Sequence, residues 1–238
     1  MKNTRADMME KSVGDLLAMN GEDEEDDVTP EELAAVISEM TAGNEENAAA
    51  AEEQPRLLLS TQSKAALQRG LALAQAAVSL DQHRRFEEAL SHYDRAIDAL
   101  GQGLNDTSMA SSSREHLVET MHGYLDRAQA LRLSMPADLK FASSDTRTAA
   151  IEAMAQAGFG TLPRGVKLRK EAEKVMPGPD AVSTDPATVA NAWRTFVLYT
   201  EVVDCLLAFM KVKGMNSNVE KAIGQALDVI EAMKRILS

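Results

Sequence analysis

The chain has 238 residues and a formal charge of −12, and that charge is unevenly placed. Residues 1–56 hold sixteen Asp/Glu against four Lys/Arg, while the rest is balanced at 21 of each; the acidity belongs to a tail, which repels phosphates and argues against nucleic acid as a general ligand. One cysteine, Cys205, excludes an internal disulfide framework. Its place in Val202-Val203-Asp204-Cys205-Leu206-Leu207 reads as a buried apolar position rather than a reactive thiol. No apolar run reaches the roughly 18–20 residues of a membrane span, and Met1-Lys2-Asn3-Thr4-Arg5 lacks the apolar core of a signal peptide. The expected address is the cytoplasm.

Taken in order, residues 1–56 are expected to be mostly disordered. Glu22 to Asp27 is an unbroken acidic run, and Glu45 to Glu53 is a low-complexity mixture of acids and alanine. Two short helices are expected inside it. One runs from Met8 to Leu17; the other opens at Thr29-Pro30-Glu31-Glu32, where Thr29 caps and Pro30 suits the first turn. Leu33, Val36, Ile37 and Met40 share one stripe of that second helix. Such a segment is either a partner-binding stretch or a solubilising tail.

Three longer helices follow. The first is expected from Gln62 or Ser63 to about Asp81, with one stripe of Leu67, Leu71, Ala74 and Val78 and a second of Leu73, Ala76, Ala77 and Leu80. A helix apolar on two sides touches two neighbours. The second runs to about Leu104, and Phe86, Ala89, Leu90, Tyr93, Ala96, Ile97 and Leu100 repeat in steps of three and one, all on one stripe. Gly101 and Gly103 weaken its last turns. After a turn-rich loop from Asn105 to Ser113, Ser112 and Glu115 form a capping box for a third helix. Its stripe is Leu117, Met121, Tyr124, Leu125, Ala128 and Leu131, and Pro136 stops it.

The chain is thus expected to be all-α: an acidic tail over 1–56, a three-helix bundle over 57–137, a partly helical linker over 138–183 and a C-terminal helical pair over 184–238. In the linker, Ser144-Asp145 caps a helix ending at Gly158. Gly158 to Gly165 reads as a loop, Lys167 to Val175 as a basic helical piece and Pro177-Gly178-Pro179 as a break. In the pair, Asp185 caps and Pro186 opens a helix to Val212, before Gly214; Ser217 and Glu220 form a capping box for a last helix to Leu237. Trp193 and Phe196 read as a core or interface anchor. The pair either docks on the bundle or self-associates.

Constellations that carry chemistry are missing. His83, His92, His116 and His122 form no His-Glu-x-x-His pattern, and a single Cys leaves no paired-Cys zinc motif. No Gly-x-Ser-x-Gly elbow occurs, and Glu87-Glu88 are helix neighbours that face different directions. The glycines after Gly158 follow a helix and lack the Lys-Ser/Thr that closes a phosphate loop. The expectation is a non-enzyme with no metal and no cofactor.

One resemblance gives the bundle a use. Leu67-Gln68-Arg69-Gly70-Leu71-Ala72-Leu73-Ala74, then Asp81, then Phe86-Glu87-Glu88-Ala89-Leu90 with Tyr93 and Ala96, then Tyr124-Leu125-Asp126-Arg127-Ala128, resembles the MIT (microtubule-interacting and trafficking) domain. That module is best known at the N-terminus of the vacuolar-sorting AAA ATPase that disassembles ESCRT-III. The resemblance covers roughly Ser63 to Met135, without the AAA ATPase module. Its first two helices are also similar to a tetratricopeptide repeat, but 34 residues on from Phe86 stands Thr120 with no second Glu-Glu-Ala-Leu element.

What the MIT resemblance implies is a helical peptide bound between the second and third helices, chiefly an MIT-interacting motif from the C-terminus of an ESCRT-III-type subunit. By resemblance Leu125 is the groove leucine and Asp126 the acid beside it, with Met121 one turn earlier. Leu90, Tyr93 and Ile97 face either groove or core. Gln129 stands where the family usually has Glu, Gly123 precedes Tyr124, and the alternate groove between the first and third helices has only Ala74. The implied setting is vesicle trafficking, with recruitment to endosomal membranes. The alternative is a tetratricopeptide-like scaffold for unrelated peptides or cytoskeletal partners. The last helix, Glu220-x-x-Ile223-x-x-Ala226-Leu227-x-x-Ile230, loosely resembles an MIT-interacting motif itself; the bland alternative is an ordinary amphipathic helix.

Overall fold

Ser60 sets the start of the first helix, α1 (Thr61–Gln82), because its hydroxyl accepts the Ser63 amide at 3.1 Å. In the computed structural model, residues 59–138, 141, 144–178, 181, 185–214 and 216–238 are described. The acidic tail and the two helices expected in it lie outside them. α1 ends at His83, after which Arg84 is left-handed at φ 59° and the amides of Arg84 and Arg85 return to the Asp81 and Leu80 carbonyls, both at 2.9 Å. This closes the last turn in the way a glycine usually does. The chain then reverses into α2 (Phe86–Leu104).

α1 and α2 lie so close that two glycines are required between them. A Cβ on Gly70 would stand 2.7 Å from Leu100 Cδ2 and 3.2 Å from the Leu100 amide nitrogen; one on Gly103 would stand 2.5 Å from Leu67 Cδ2. Leu67 and Leu100 are fully buried and have nowhere to go. Gly103 is therefore a packing residue rather than a weak spot. Gly123, in α3 (Ser111–Ser134), is its opposite, exposed and with open space around it. We expect Gly70→Ala to lower stability by about 1–3 kcal/mol through overpacking, and Gly123→Ala to raise it by up to about 1 kcal/mol through helix propensity. Urea unfolding of the two variants reads both signs at once.

The burial pattern follows the expected stripes with three differences. On α2 the interior residues are Ala89, Leu90, Tyr93, Ala96, Ile97, Ala99, Leu100, Gly101, Gly103 and Leu104, but Phe86, at the first turn, is 38% exposed. On α1 only the face of Ser63, Ala66, Leu67, Gly70, Ala74 and Ala77 is buried; Leu71, Leu73, Val78 and Leu80 are half-buried. α3 starts one residue earlier than expected, from Ala110 as cap, and Ser111 Oγ donates to Glu115 at 3.0 Å. The Ser112–Glu115 capping box does not form, because Ser112 is already inside the helix. Met135 leaves α3 extended, as a residue before proline must.

A fourth helix completes this unit. α4 (Asp145–Gln156) is capped by Ser144, whose hydroxyl accepts the Arg147 amide at 3.4 Å. It is stopped by Gly158 at φ 95°, where a residue with a Cβ would be strained. The amides of Gly158 and Phe159 return to Ala155 and Met154, both at 3.1 Å. α4 packs closely on α2, and residues 144–159 belong to one compact unit with the bundle.

Residues from 160 onward belong to a second unit, so the stretch 138–183 is shared between the two. The loop expected from Gly158 to Gly165 is shorter than that. α5 (Leu162–Val175) begins with Pro163 in its first turn and contains Gly165, where a Cβ would come 3.1 Å from that of Cys205. α6 (Pro186–Lys213) is capped by Asp185, which accepts the Ala187 and Thr188 amides at 3.2 and 3.0 Å. α7 (Ser217–Leu237) is capped by Asn216, which accepts the Asn218 amide at 2.9 Å. With Ser217 inside the helix, the Ser217–Glu220 box does not form.

α6 is the spine of this unit and packs on both α5 and α7. Trp193 and Phe196 are buried and stacked, with ring centroids 6.2 Å apart. Cys205 is a buried free thiol whose backbone carbonyl accepts the Thr161 hydroxyl at 3.0 Å. α7 buries Val219, Ala226, Ile230 and Met233.

Candidate functional site

The seven residues expected to line a groove divide sharply by burial. Leu90, Tyr93 and Ile97 on α2, and Met121, Leu125 and Gln129 on α3, are all buried, with Ile97, Met121 and Leu125 fully so. Asp126 alone among them is exposed. The seam between α2 and α3 is therefore closed rather than open.

Two features close it that the residue pattern did not announce. Arg132, 1% exposed on α3, donates to Asp94 Oδ1 on α2 and ties the helices together. The signal for it was present, since Arg132 follows Leu125 by two turns on the apolar stripe, where a cation needs a partner. The second feature is α4. A Cβ on Gly101 of α2 would stand 3.4 Å from Ala150 Cα and Ala153 Cβ of α4, and 3.6 Å from Met121 Cε of α3. Three helices therefore meet at Gly101. α4 lies against α2, and Met121 of α3 stands beside the same glycine.

Across the bundle, the residues quoted for the family resemblance form a clamp. Arg127 on α3 donates through Nε and Nη2 to both oxygens of Asp81 on α1, at 2.6 and 2.7 Å. The Tyr93 hydroxyl donates to Asp81 Oδ2 at 3.4 Å, and the Tyr93 and Tyr124 ring centroids are 5.8 Å apart. Those contacts join α1, α2 and α3. Hydrogen bonding from Arg127, opposed in part by burial, holds the Asp81 carboxyl below its usual range, while burial pushes Tyr93 up to about 12. Asp106 is also lowered, by the Ser108 hydroxyl and then by the Ser60 and Ser108 amides it accepts.

The sign of the pH effect follows. A carboxyl depressed in the folded state stabilises it above the unfolded value of about 4, and that contribution is lost as pH falls through the folded value. We expect Asp81→Asn to lower stability at pH 7 by at most about 1 kcal/mol, since Arg127 is half exposed. The penalty should shrink on acidification below pH 4, as read from urea midpoints at pH 7 and pH 3.

The family model for the MIT (microtubule interacting and transport) domain matches residues 67–132. Those residues are an MIT domain. The match covers just over a quarter of the chain, from within α1 to within α3, and includes the Asp81–Tyr93–Arg127 clamp. No curated protein and no solved structure matches the chain. No Walker-type phosphate loop of an AAA ATPase occurs in the sequence.

Beyond the MIT domain, α5, α6 and α7 enclose an apolar cavity of about 40 Å³ beside Leu162, Val166, Tyr199, Val202 and Ala226. That is room for a few waters at most, and its walls offer them little to bind. Among the described residues, no group of three or more His, Cys, Asp or Glu side chains is placed to hold a metal ion. No described helix is long and apolar enough to cross a membrane.

Proposed function

We propose that this chain is a non-enzymatic adaptor whose MIT domain binds helical peptide segments, the partner class being the C-terminal MIT-interacting motifs of ESCRT-III-type subunits in membrane trafficking. The observation that carries the reading is the match of the MIT family model to the three helices α1, α2 and α3. The proposed docking line is the seam of α2 and α3, with Leu90, Tyr93, Ile97, Met121, Leu125 and Gln129 beneath and exposed Asp126 at the rim. An amphipathic peptide helix laid there buries its apolar face as one more member of the bundle. Asp126 is positioned to attract a basic residue of the peptide, a rim contact that tunes specificity more than affinity.

A single helix on such a seam binds weakly, with a Kd on the order of 10–100 μM, about 5.5–7 kcal/mol. The test is calorimetric titration of the full chain with a panel of ESCRT-III C-terminal peptides, beside Asp126→Lys. Binding in that range, weakened several-fold by the charge reversal, supports the reading and makes recruitment to endosomal membranes its consequence. No binding to any peptide by the folded chain sinks it, and co-pelleting with microtubules would then favour the scaffold alternative. Self-association of the C-terminal helices belongs to the same proposal, motivated by exposed Leu207, Val212 and Leu227; a concentration-independent monomer in sedimentation would remove it.

A further inference from the structure

We propose that the α2–α3 seam is an interaction surface held by the chain's own helix α4, and that a partner helix enters by taking the place of α4; this rests on the helix-binding reading above. Gly101 is the point of contact. A Cβ there would sit in ordinary van der Waals contact with both neighbours, 3.4 Å from Ala150 Cα of α4 and 3.6 Å from Met121 Cε of α3, so α4 and α3 flank the same point of α2. Ala150 and Ala153, three apart on α4, bracket that point, and both are buried. α4 thus lies where an added helix must lie.

Its midpoint falls at the level of Gly101. Its 12 residues span about 18 Å at a rise of 1.5 Å each, enough to cover the Ile97–Met121 half of the seam. The other half is closed by Arg132 and Asp94. α4 therefore overlies the Gly101 end of the expected docking line.

Three properties make α4 a replaceable occupant. It is short, and an isolated helix of this length is marginal in water, so α4 holds its form by docking. Its contact at Gly101 is made by two alanines, which contribute little apolar area, so the fully buried Arg147, Ile151 and Met154 are what a partner helix has to outcompete. It is also bounded by its own cap and stop, Ser144 and Gly158, so it can leave as a unit. Its tether to α3, which ends at Ser134, adds to that docking by keeping α4 at an effective concentration in the millimolar range. The chemistry of the incoming helix follows: it is amphipathic and carries small residues three apart to pass over Gly101.

The test uses a fluorescein-labelled peptide of residues 144–158 and three forms of the full chain. Ala150→Glu/Ala153→Glu displaces the resident helix. Gly101→Cys/Ala153→Cys locks it, since the two Cβ positions are 3.4 Å apart, close to disulfide geometry. The labelled peptide should bind the wild-type chain weakly, the displaced variant at least ten-fold more tightly, and the oxidised locked variant not at all, with recovery on reduction. Equal binding by the locked and wild-type chains overturns the proposal, as does a helical displaced variant that binds no better than wild type. Should the displaced variant fail to fold, the locked and reduced pair decides alone, and no peptide binding by the wild-type chain or the reduced pair counts against it. Unlabelled ESCRT-III peptides provide the separate arm. If they fail to displace the labelled peptide while α4 exchanges as expected, the partner class is wrong and the replaceable helix stands.

Discussion

Glu201→Ala is expected to destabilise the unit of α5, α6 and α7 by about 3–5 kcal/mol. The Glu201 side chain is fully buried on α6, and Arg164 on α5 donates to its Oε1 from Nε at 2.8 Å, with Nη2 at the same distance as an ion-pair contact. Arg164 is itself only 9% exposed. Removing the carboxylate leaves a guanidinium, which keeps its charge at any accessible pH, desolvated and without its main counter-charge. The pair as a whole contributes much less than this, because desolvating both groups offsets most of their attraction. Arg164→Met/Glu201→Met should therefore fall near the wild-type stability while Glu201→Ala does not. The single tryptophan, Trp193, is buried on α6 and reports this unit directly. Guanidinium unfolding followed by its fluorescence separates the two outcomes, and equal losses in single and double variants would refute the argument.

Periodicity made the helices legible because each one buries a stripe, and a stripe is visible at three- and four-residue spacing. The α2 stripe from Ala89 to Leu100 and the α3 stripe from Leu117 to Leu131 lie inside. Helix ends were harder. Ser112 and Ser217 looked like caps, yet the structure uses Ala110 and Asn216, since a cap is chosen by where the previous loop delivers the chain and not by the side chain alone. The glycines were misjudged for a related reason. Propensity scores Gly103 as a weak helix position and Gly70 as a poor one, whereas their value is set by what stands opposite, Leu67 in one case and Leu100 in the other.

The same limit governs the candidate site. One stripe of α2 was asked to serve both core and groove, and the choice between them depends on a neighbour that periodicity cannot name. α4 was legible as a helix from Ser144 to Gly158 but not as a partner of α2. Its sequence, Asp145-Thr146-Arg147-Thr148-Ala149-Ala150-Ile151-Glu152-Ala153-Met154-Ala155-Gln156, has small residues on every side. Alanine is compatible with an interior face and an exposed one alike. Arg147, fully buried, is the residue that breaks the pattern most, and a linker helix would not be expected to hide an arginine.

Leu125→Asp should unfold the bundle rather than merely block its seam. Leu125 is the residue that the family resemblance marks for peptide contact, and a charge there is the natural first probe of binding. Its side chain, however, is fully buried on α3. Burying a leucine contributes about 1.5–3 kcal/mol, and a carboxyl in its place is either ionised without compensation or held neutral by a raised pKa, at a further cost of several kcal/mol. The sum rivals the whole stability of a small domain, about 5–15 kcal/mol. A buried Asp with a raised pKa destabilises most when pH stands above its unfolded value of about 4, and the deficit narrows as pH falls toward that value. Helical ellipticity of Leu125→Asp should thus be reduced at pH 7 and recover in part near pH 4, while Leu125→Met, a volume-conserving change, stays within about 1.5 kcal/mol of wild type. Full ellipticity and an unchanged urea midpoint for Leu125→Asp at pH 7 would show that this position opens to water. Only in that case does lost peptide binding by the variant map the seam; otherwise the exposed Asp126 is the position that tests it.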